Sequence, residues 1–331
     1  MTRWQFSKGL HQVGDGSHAY LLPDGGWGWS NAGLVVDGDQ SLLIDTLYDL
    51  KTTGEMLETM ADAVPAARKI DILVNSHSDG DHTYGNELLK GARIVASKAT
   101  AEEFFKLSPE KLHSIITNPQ SDGARFYAGL MGNRFDFSNI TLLAPTETYD
   151  REMHLKVGDK DIALFNVGPA HTRGDTLVQV IQDKVVYTGD LLFVGVHPAI
   201  WDGSLAGWVA ACDRILAMDV DVVVPGHGPI SDKAGVRMLR DYLVMVNDET
   251  RKRFDAGLSV EDAALDIAFS GPFADWISPE RIVGSVNFLY RQWGSDQAAS
   301  DIFEIFAMLQ RYVKAKAGPN AGLRAATGHG H

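Results

Sequence analysis

Asn75-Ser-His77-Ser-Asp79-Gly-Asp81-His82-Thr-Tyr-Gly-Asn86 carries four side chains able to ligate a metal within six residues. It follows Ile72-Leu-Val, a short apolar run that reads as a buried strand, so the polar cluster stands where a strand ends. Imidazole nitrogen and carboxylate oxygen are both ordinary zinc donors. Aspartate also caps helices and builds turns, which makes a polar loop the competing reading of this stretch taken alone. The density of donors favours a metal.

Three later segments repeat the arrangement. Gly168-Pro-Ala-His171-Thr-Arg-Gly174-Asp175 places a histidine on a turn after a strand. Tyr187-Thr-Gly189-Asp190 ends a strand in a carboxylate, and Val224-Pro-Gly226-His227-Gly-Pro ends another in a histidine. Each polar residue lies beside a glycine that frees the backbone. Strand ends and loops of layered α/β folds are where sites assemble.

Taken in order, HxDxDH, GPAHTRGD, TGD and PGHGP resemble the motifs of the metallo-β-lactamase superfamily over roughly residues 15–230. Leu43-Ile-Asp45-Thr46 is similar to the family's first motif. The resemblance implies an α/β fold, a four-layer αββα sandwich with metals in the cleft between its sheets. It implies a first metal site of His77, Asp79 and His171, a second of Asp81, His82 and His227, and Asp190 bridging the two. Asp45 would stand behind the ligands and orient them. One position departs, because the family normally has histidine where this chain has Asp79. Aspartate is shorter, anionic and a harder donor. The departure implies either a first site tilted towards iron or manganese, or an empty one with Asp79 hydrogen-bonded to a neighbour. The second site keeps its full set. The expected cofactor is one or two Zn2+ per chain, with Fe or Mn as the alternative at the first site. The implied chemistry is a metal-held hydroxide, formed near neutral pH, that attacks an electrophilic carbon, with Asp81 and Asp190 as the carboxylates nearest that step.

Outside the motifs, short apolar runs alternate with helical patterns to about residue 230. Leu34-Val-Val and Leu42-Leu-Ile read as paired strands around Asp37-Gly38-Asp39. Further strands are expected at Arg93–Ser97, Thr141–Leu143, Leu155–Val157, Ile162–Val167, Thr176–Ile181, Val185–Thr188 and Val222–Pro225. Helices are expected over 50–63, from Thr100 and over Trp208–Met218, while 108–140 has no clear pattern. Beyond Pro229 the apolar residues recur at helical spacing, at Val236, Leu239, Leu243 and Val246 and again at Ile302, Phe306, Leu309 and Val313. Two more helices are expected over Ser259–Phe269 and Pro279–Trp293. The expected organisation is a catalytic domain over 1–230, a helical extension over 231–316 and a flexible tail over 317–331.

Composition narrows the partners. The 331 residues carry a formal net charge of −13 and no basic run, which argues against nucleic acid and anionic membranes. The N-terminus lacks the apolar run of a secretory signal, and no stretch of about 18 apolar residues occurs. A cytoplasmic location is expected, and the apolar stripes of the extension favour a homodimer. Cys212, the single cysteine, reads as a buried helix residue rather than a nucleophile. His11, His18, His113 and His154 fall in no motif.

Trp27 and Trp29, in Gly25-Gly-Trp-Gly-Trp-Ser, and His197 and Trp201, after the Asp190 strand, are the candidate substrate-binding residues. Their structural readings are caps on the sandwich core and a Pro-flanked loop histidine. Arg173 is the one cation beside a motif and is expected to pair with Asp175. A small, apolar or aromatic, weakly charged substrate follows: an ester, thioester, lactone or lactam. Hydrolytic dehalogenation of an aryl chloride is a further option, because the extension with Pro272-Phe-Ala-Asp-Trp276 is similar to superfamily members outside the true lactamases. Two rivals remain. A mono- or di-iron oxidoreductase of the same fold would explain a carboxylate at position 79, but its flavodoxin module has no counterpart in the helical 231–331. A non-catalytic metal-binding protein is disfavoured by the nearly complete ligand set.

Overall fold

The computed structural model describes residues 4–317, and the tail beyond Ala317 lies outside the described residues. Twelve strands among them form two sheets. The first holds β1 (Gly9–Gln12), β2 (Ser17–Leu21), β3 (Ala32–Asp37), β4 (Gln40–Ile44), β5 (Ile72–Val74), β6 (Arg93–Ser97) and β7 (Glu147–Tyr149), side by side in chain order. The second runs β12 (Val222–Val224), β11 (Val185–Tyr187), β10 (Thr176–Val180), β9 (Lys160–Asn166), β8 (Glu152–Val157).

The period-2 alternation of the strands generates the layers. In β4, Leu42 and Ile44 join a core between the sheets with Val74, Val95, Leu164, Val178 and Val180. Leu43 points the other way, against Met56 and Met60 of α1 (Leu50–Ala63). On the far side of the second sheet, Leu177, Val186 and Val223 meet Trp208, Cys212 and Ile215 of α6 (Leu205–Ala217). Helix, sheet, sheet and helix therefore stack as the expected αββα sandwich.

Topology then gathers the polar tips at one edge. β4, β5 and β6 are parallel, so the residues after β4 and β5 emerge on the same side. β11 and β12 are parallel and β10 is antiparallel to β11 and β9, so the ends of β11 and β12 and the β9–β10 loop also share one side.

Within the first sheet's span, α2 (Gly80–Thr83) lies between β5 and β6, and α3 (Lys98–Glu103), α4 (Pro109–Thr117) and α5 (Asp122–Met131) lie between β6 and β7. The two longer ones occupy the stretch without a clear pattern. Thr141–Leu143 is not a strand: the chain is irregular there, and the edge strand forms at Glu147–Tyr149, where Val95, Ala96 and Ser97 offer a free ladder. β1 and β2, not expected from sequence, lengthen the first sheet.

The C-terminal helices are α7 (Lys233–Asp255), α8 (Val260–Asp266), α9 (Ile282–Gln292) and α10 (Ile302–Ala317). Their apolar stripes share one buried cluster with α6: Val236 and Leu239 lie with Trp208, and Phe306 and Leu309 with Tyr127 of α5. No helix among the described residues is long and apolar enough to cross a membrane.

Candidate metal centre

Each tip is held by local bonds. Asp45, in the left-handed region at φ 63 just after β4, accepts from Ser76 N and Ser76 Oγ, both at 2.6 Å. The 75–86 turn is closed by Asn75 and Asn86, bonded to each other at 2.8 Å, and by Thr46 N to the His82 carbonyl at 3.0 Å. Asp175 accepts from Ala170 N at 3.1 Å and from Thr172 N and Oγ1 at 3.0 and 2.8 Å, shaping the turn that presents His171. Arg173 instead approaches Glu103 at 3.7 Å, so the expected Arg173–Asp175 pair does not form. Asn31 donates to the carbonyls of Pro225 and Gly228 at 3.0 and 2.8 Å, pinning the His227 loop. Asp175 closes the GPAHTRGD segment, whereas Asn31 belongs to none of the motifs and was not singled out from sequence.

The structure brings all seven candidate ligands together. His77, Asp79 and His171 form one donor cluster, Asp81, His82 and His227 another, and Asp190 stands between. Asp190 Oδ2 lies 3.9 Å from His77 Nε2, 3.4 Å from His171 Nε2 and 3.4 Å from His227 Nε2. Asp79 Oδ2 reaches within 3.4 Å of His171 Nε2 and 3.7 Å of His77 Nε2, so the shorter side chain still meets the first cluster. Asp81 Oδ2 lies 3.3 Å from His227 Nε2.

The outer nitrogens of three of the four rings are engaged, while among the described residues His171 Nδ1 is buried without a partner. His82 Nδ1 meets Asp45 at 2.9 Å, His77 Nδ1 meets Ser76 Oγ at 2.9 Å, and His227 Nδ1 meets the Gly25 carbonyl at 3.0 Å. These contacts turn each Nε2 inward. Among the described residues His77 Nε2, His82 Nε2 and Asp190 Oδ1 are buried and make no well-directed hydrogen bond, although His82 Nε2 and Asp190 Oδ1 stand 3.0 Å apart. Buried polar atoms are normally paired. Converging orphans of these donor types fit a cation.

Close approach demands glycine at two positions. A Cβ on Gly226 would stand 2.1 Å from Asp190 Oδ1, and one on Gly189, at φ +50, 2.3 Å from Ser76 Oγ.

Electrostatics reflect the crowding of acids and imidazoles. Burial opposes charge on the rings of His82, His171 and His227, but the carboxylates outweigh it. Asp79 and Asp190 push His171 up to about 9, Asp190 and Asp45 hold His82 well above its usual range, and Asp190 and Asp81 raise His227. Burial likewise opposes ionisation of Asp190, yet His227 and His82 hold it well below the usual carboxylate range. A cation arriving here must displace protons.

The cluster floors a cavity of about 380 Å³. Trp27, Tyr84, Tyr127, Phe193, Trp201 and Phe306 supply much of its wall. Phe193 stacks on His227 at 5.0 Å between ring centroids. Trp27 and Trp201 therefore border the site as expected. Trp29 and His197 do not line the cavity. Trp29 packs on Phe135 at 4.6 Å, because the positive φ of Gly28 turns the chain between Trp27 and Trp29. His197 is enclosed by Phe269, Tyr242 and Trp276, with Nδ1 3.0 Å from the Tyr242 hydroxyl. Arg281, on the turn before α9, lines the cavity and was not singled out from sequence. Cys212 is buried in α6, and burial pushes its thiol up to about 12.

Residues 25–227 match the sequence model of the metallo-beta-lactamase superfamily. The α subunit of 2,4-dinitroanisole O-demethylase from Nocardioides sp. (strain JS1661) is 23% identical over 59% of this chain and 51% of its own. An acyl-coenzyme A thioesterase from Homo sapiens is 23% identical over 60% of this chain and 72% of its own. The solved inverting sec-alkylsulfatase Pisa1 from Pseudomonas sp. superposes with TM-score 0.62 at 18% identity, covering 96% of this chain and 52% of that one. The superposition thus extends into the C-terminal helices. The chain spans about half the length of the demethylase subunit and of the sulfatase.

Proposed function

The chain belongs to the metallo-beta-lactamase superfamily, and we propose that it is a metal-dependent hydrolase acting on a small, largely apolar or aromatic substrate with an electrophilic carbon. The observation that carries this reading is the convergence of seven histidine and aspartate side chains, three of their atoms buried without a well-directed hydrogen bond, on the floor of an aromatic cavity. His77, Asp79 and His171 would hold one Zn2+, Asp81, His82 and His227 a second, and Asp190 would lie between them. Such ions, when bound, supply Lewis acidity that ionises water near pH 7 and offsets charge developing on the substrate.

The chain's own residues do the rest. Asp45 fixes the His82 tautomer, and the Gly25 carbonyl that of His227. Asp81 acts as a ligand, since a carboxylate committed to an ion is not also a free base. Trp27, Phe193 and Trp201 exclude bulk water and give an aryl or alkyl body its contact. The hydroxyls of Tyr48 and Tyr127, 2.9 Å apart, put a neutral polar patch in that wall, since burial keeps both phenols protonated. In the reaction, oxygen from water bonds to the carbon, the bond to the leaving atom breaks, the leaving group departs with its electron pair, and the proton released from water goes to the leaving group or, for a halide, to solvent. Esters, thioesters, lactones, lactams and activated aryl halides all satisfy that description. Relatives named for a thioesterase and an alkylsulfatase support hydrolysis without selecting among them.

The test is metal analysis with variants of the second cluster. His227→Ala and Asp190→Ala should lose metal and hydrolytic activity together. Full activity in metal-free protein would sink the reading, and iron content with oxygen consumption would replace it by an oxidoreductase.

A further inference from the structure

The cavity contains one charged group that the hydrolytic reading does not use. Arg281 sits on a short turn after Ser278 and Pro279 at the entry to α9, and is 4% exposed. Buried charges are normally paired with an opposite charge or hold a metal. Among the described residues no carboxylate comes within ion-pair distance of it. Its one hydrogen bond to the protein runs from Nη1 to the His197 carbonyl at 3.3 Å, and its Nε is buried and unpartnered. The adjacent Glu280 is occupied elsewhere, accepting from Trp27 Nε1 at 2.7 Å.

The other charges around the cavity are spoken for or lie outside. Asp79, Asp81 and Asp190 face the histidines, and Lys106 pairs with Glu103 and Asp202. Lys111 is exposed at the rim. The guanidinium of Arg281 lies over the Trp27 ring at 4.2 Å and over the Phe193 ring at 5.7 Å, and Phe193 is itself stacked on His227. The cation is thus held by aromatic faces, next but one to a candidate ligand, with most of its donors left over. Its planar fork matches a carboxylate or a similarly shaped oxyanion.

We propose that Arg281 is the anion-recognition residue of this cavity, and that the natural substrate carries a carboxylate or equivalent oxyanion that lies against Arg281 while its reacting carbon faces the histidine–aspartate cluster. The proposal rests on the hydrolase reading and deepens it. It departs from the expectation of a weakly charged substrate by giving the apolar body one anionic end. A purely structural role, tethering the His197 loop, would account for the Nη1 bond and leave the remaining donors without a function.

Binding of inert probes separates the two ideas. Phenylacetate and phenylacetamide have nearly the same shape and differ in charge. Their affinities for metal-loaded protein can be read by calorimetry or by the fluorescence of Trp27 beneath the guanidinium. Wild type should prefer the carboxylate by about tenfold or more, the range expected of a charge-assisted pair. In R281M the preference should fall to within about threefold, with phenylacetamide affinity unchanged because the cavity is intact. R281Q, able to keep the His197 tether, gives the same readout should R281M fail to fold, and R281K should recover part of the preference. Equal binding of the two probes by wild type, or no binding of phenylacetate, overturns the proposal. So does a carboxylate preference that persists in R281M or R281Q, which would place the anion on the metal. Metal content and hydrolysis are scored separately. Metal-free, inert wild type that still prefers the carboxylate would therefore remove the hydrolase reading and leave Arg281 as the anion site.

Discussion

Replacing Asp45 by Asn should weaken metal binding without altering the shape of the site. Asp45 Oδ1 accepts from Ser76 N at 2.6 Å, while Oδ2 accepts from Ser76 Oγ and meets His82 Nδ1 at 2.9 Å. A backbone N–H is an obligatory donor, so an asparagine must turn its oxygen towards Ser76 N. Its NH2 then faces His82 Nδ1. To accept from that donor the ring must move its proton to Nε2, the atom that points at Asp190 and would bind the ion. The tautomer is therefore wrong for ligation. Outer carboxylates of this kind are worth roughly 10–100-fold in metal affinity, about 1.4–2.7 kcal/mol. The tautomer conflict places D45N at the upper end. Competition against a chromophoric chelator measures the affinity, and circular dichroism checks the fold. A folded D45N with wild-type affinity would refute the role of Asp45 as the residue that sets the His82 tautomer.

Gly226→Ala should cost about 1–3 kcal/mol and most of the bound metal, because the new Cβ would collide with Asp190 Oδ1 at 2.1 Å; denaturant unfolding and metal analysis report both, and Gly54→Ala, with open space in α1, is the control that should not destabilise. Asp79→Ala should lower metal stoichiometry from two ions to one while sparing the second cluster, as read by metal analysis per folded chain; unchanged stoichiometry would show that Asp79 is no ligand. His197, pushed down to about 4 chiefly by burial and by the nearby Arg281 charge, should make wild type lose stability in acid. Between its unfolded value near 6.5 and about 4, the unfolded chain binds a proton that the folded chain refuses, so stability falls as pH falls, by about 1.4 kcal/mol per unit and about 3 kcal/mol in all. The difference between wild type and His197→Gln in melts at pH 7 and pH 4.5 isolates this contribution; parallel pH profiles would contradict it.

The convergence of these donor side chains was legible because they sit in a few short segments. His77, Asp79, Asp81 and His82 belong to one turn, and His171, Asp190 and His227 each sit beside a glycine at a strand end, so four short segments name the centre before any contact is known. The sandwich was legible for a similar reason, since Leu42, Leu43 and Ile44 alternate between two cores as a period-2 strand must. What failed depended on distant packing. Thr141–Leu143 has strand-forming residues but no free edge, and the ladder is taken by Glu147–Tyr149. Trp27 and Trp29 stand two apart in a glycine-rich loop, where period-2 reasoning puts both on one face. The positive φ of Gly28 breaks that rule, and only Trp27 reaches the cavity. His197 borders the site in sequence but is drawn into an aromatic cluster of the C-terminal helices. Arg281 lies 54 residues past the last ligand, and nothing in Ser278-Pro-Glu-Arg281 marks it as a cavity residue.

The division follows the way three parts of the chain share one centre. The first sheet's loops supply Asp45, His77, Asp79, Asp81 and His82, and the second sheet's loops supply His171, Asp190 and His227. Neither cluster closes within one sheet: the first borrows His171, the second borrows His227. An ion in either cluster therefore joins the two halves, and folding and metal binding become coupled. The C-terminal helices add no ligand. They contribute Arg281, Ile302 and Phe306 to the cavity wall above the histidine–aspartate cluster. On the proposed reading, the two sheets would carry the hydrolytic chemistry and helices without a motif would shape the pocket that receives the substrate. On that argument, the residues that decide what this protein cleaves lie where sequence comparison with relatives of other specificity is least informative, and Arg281 is the first of them to test.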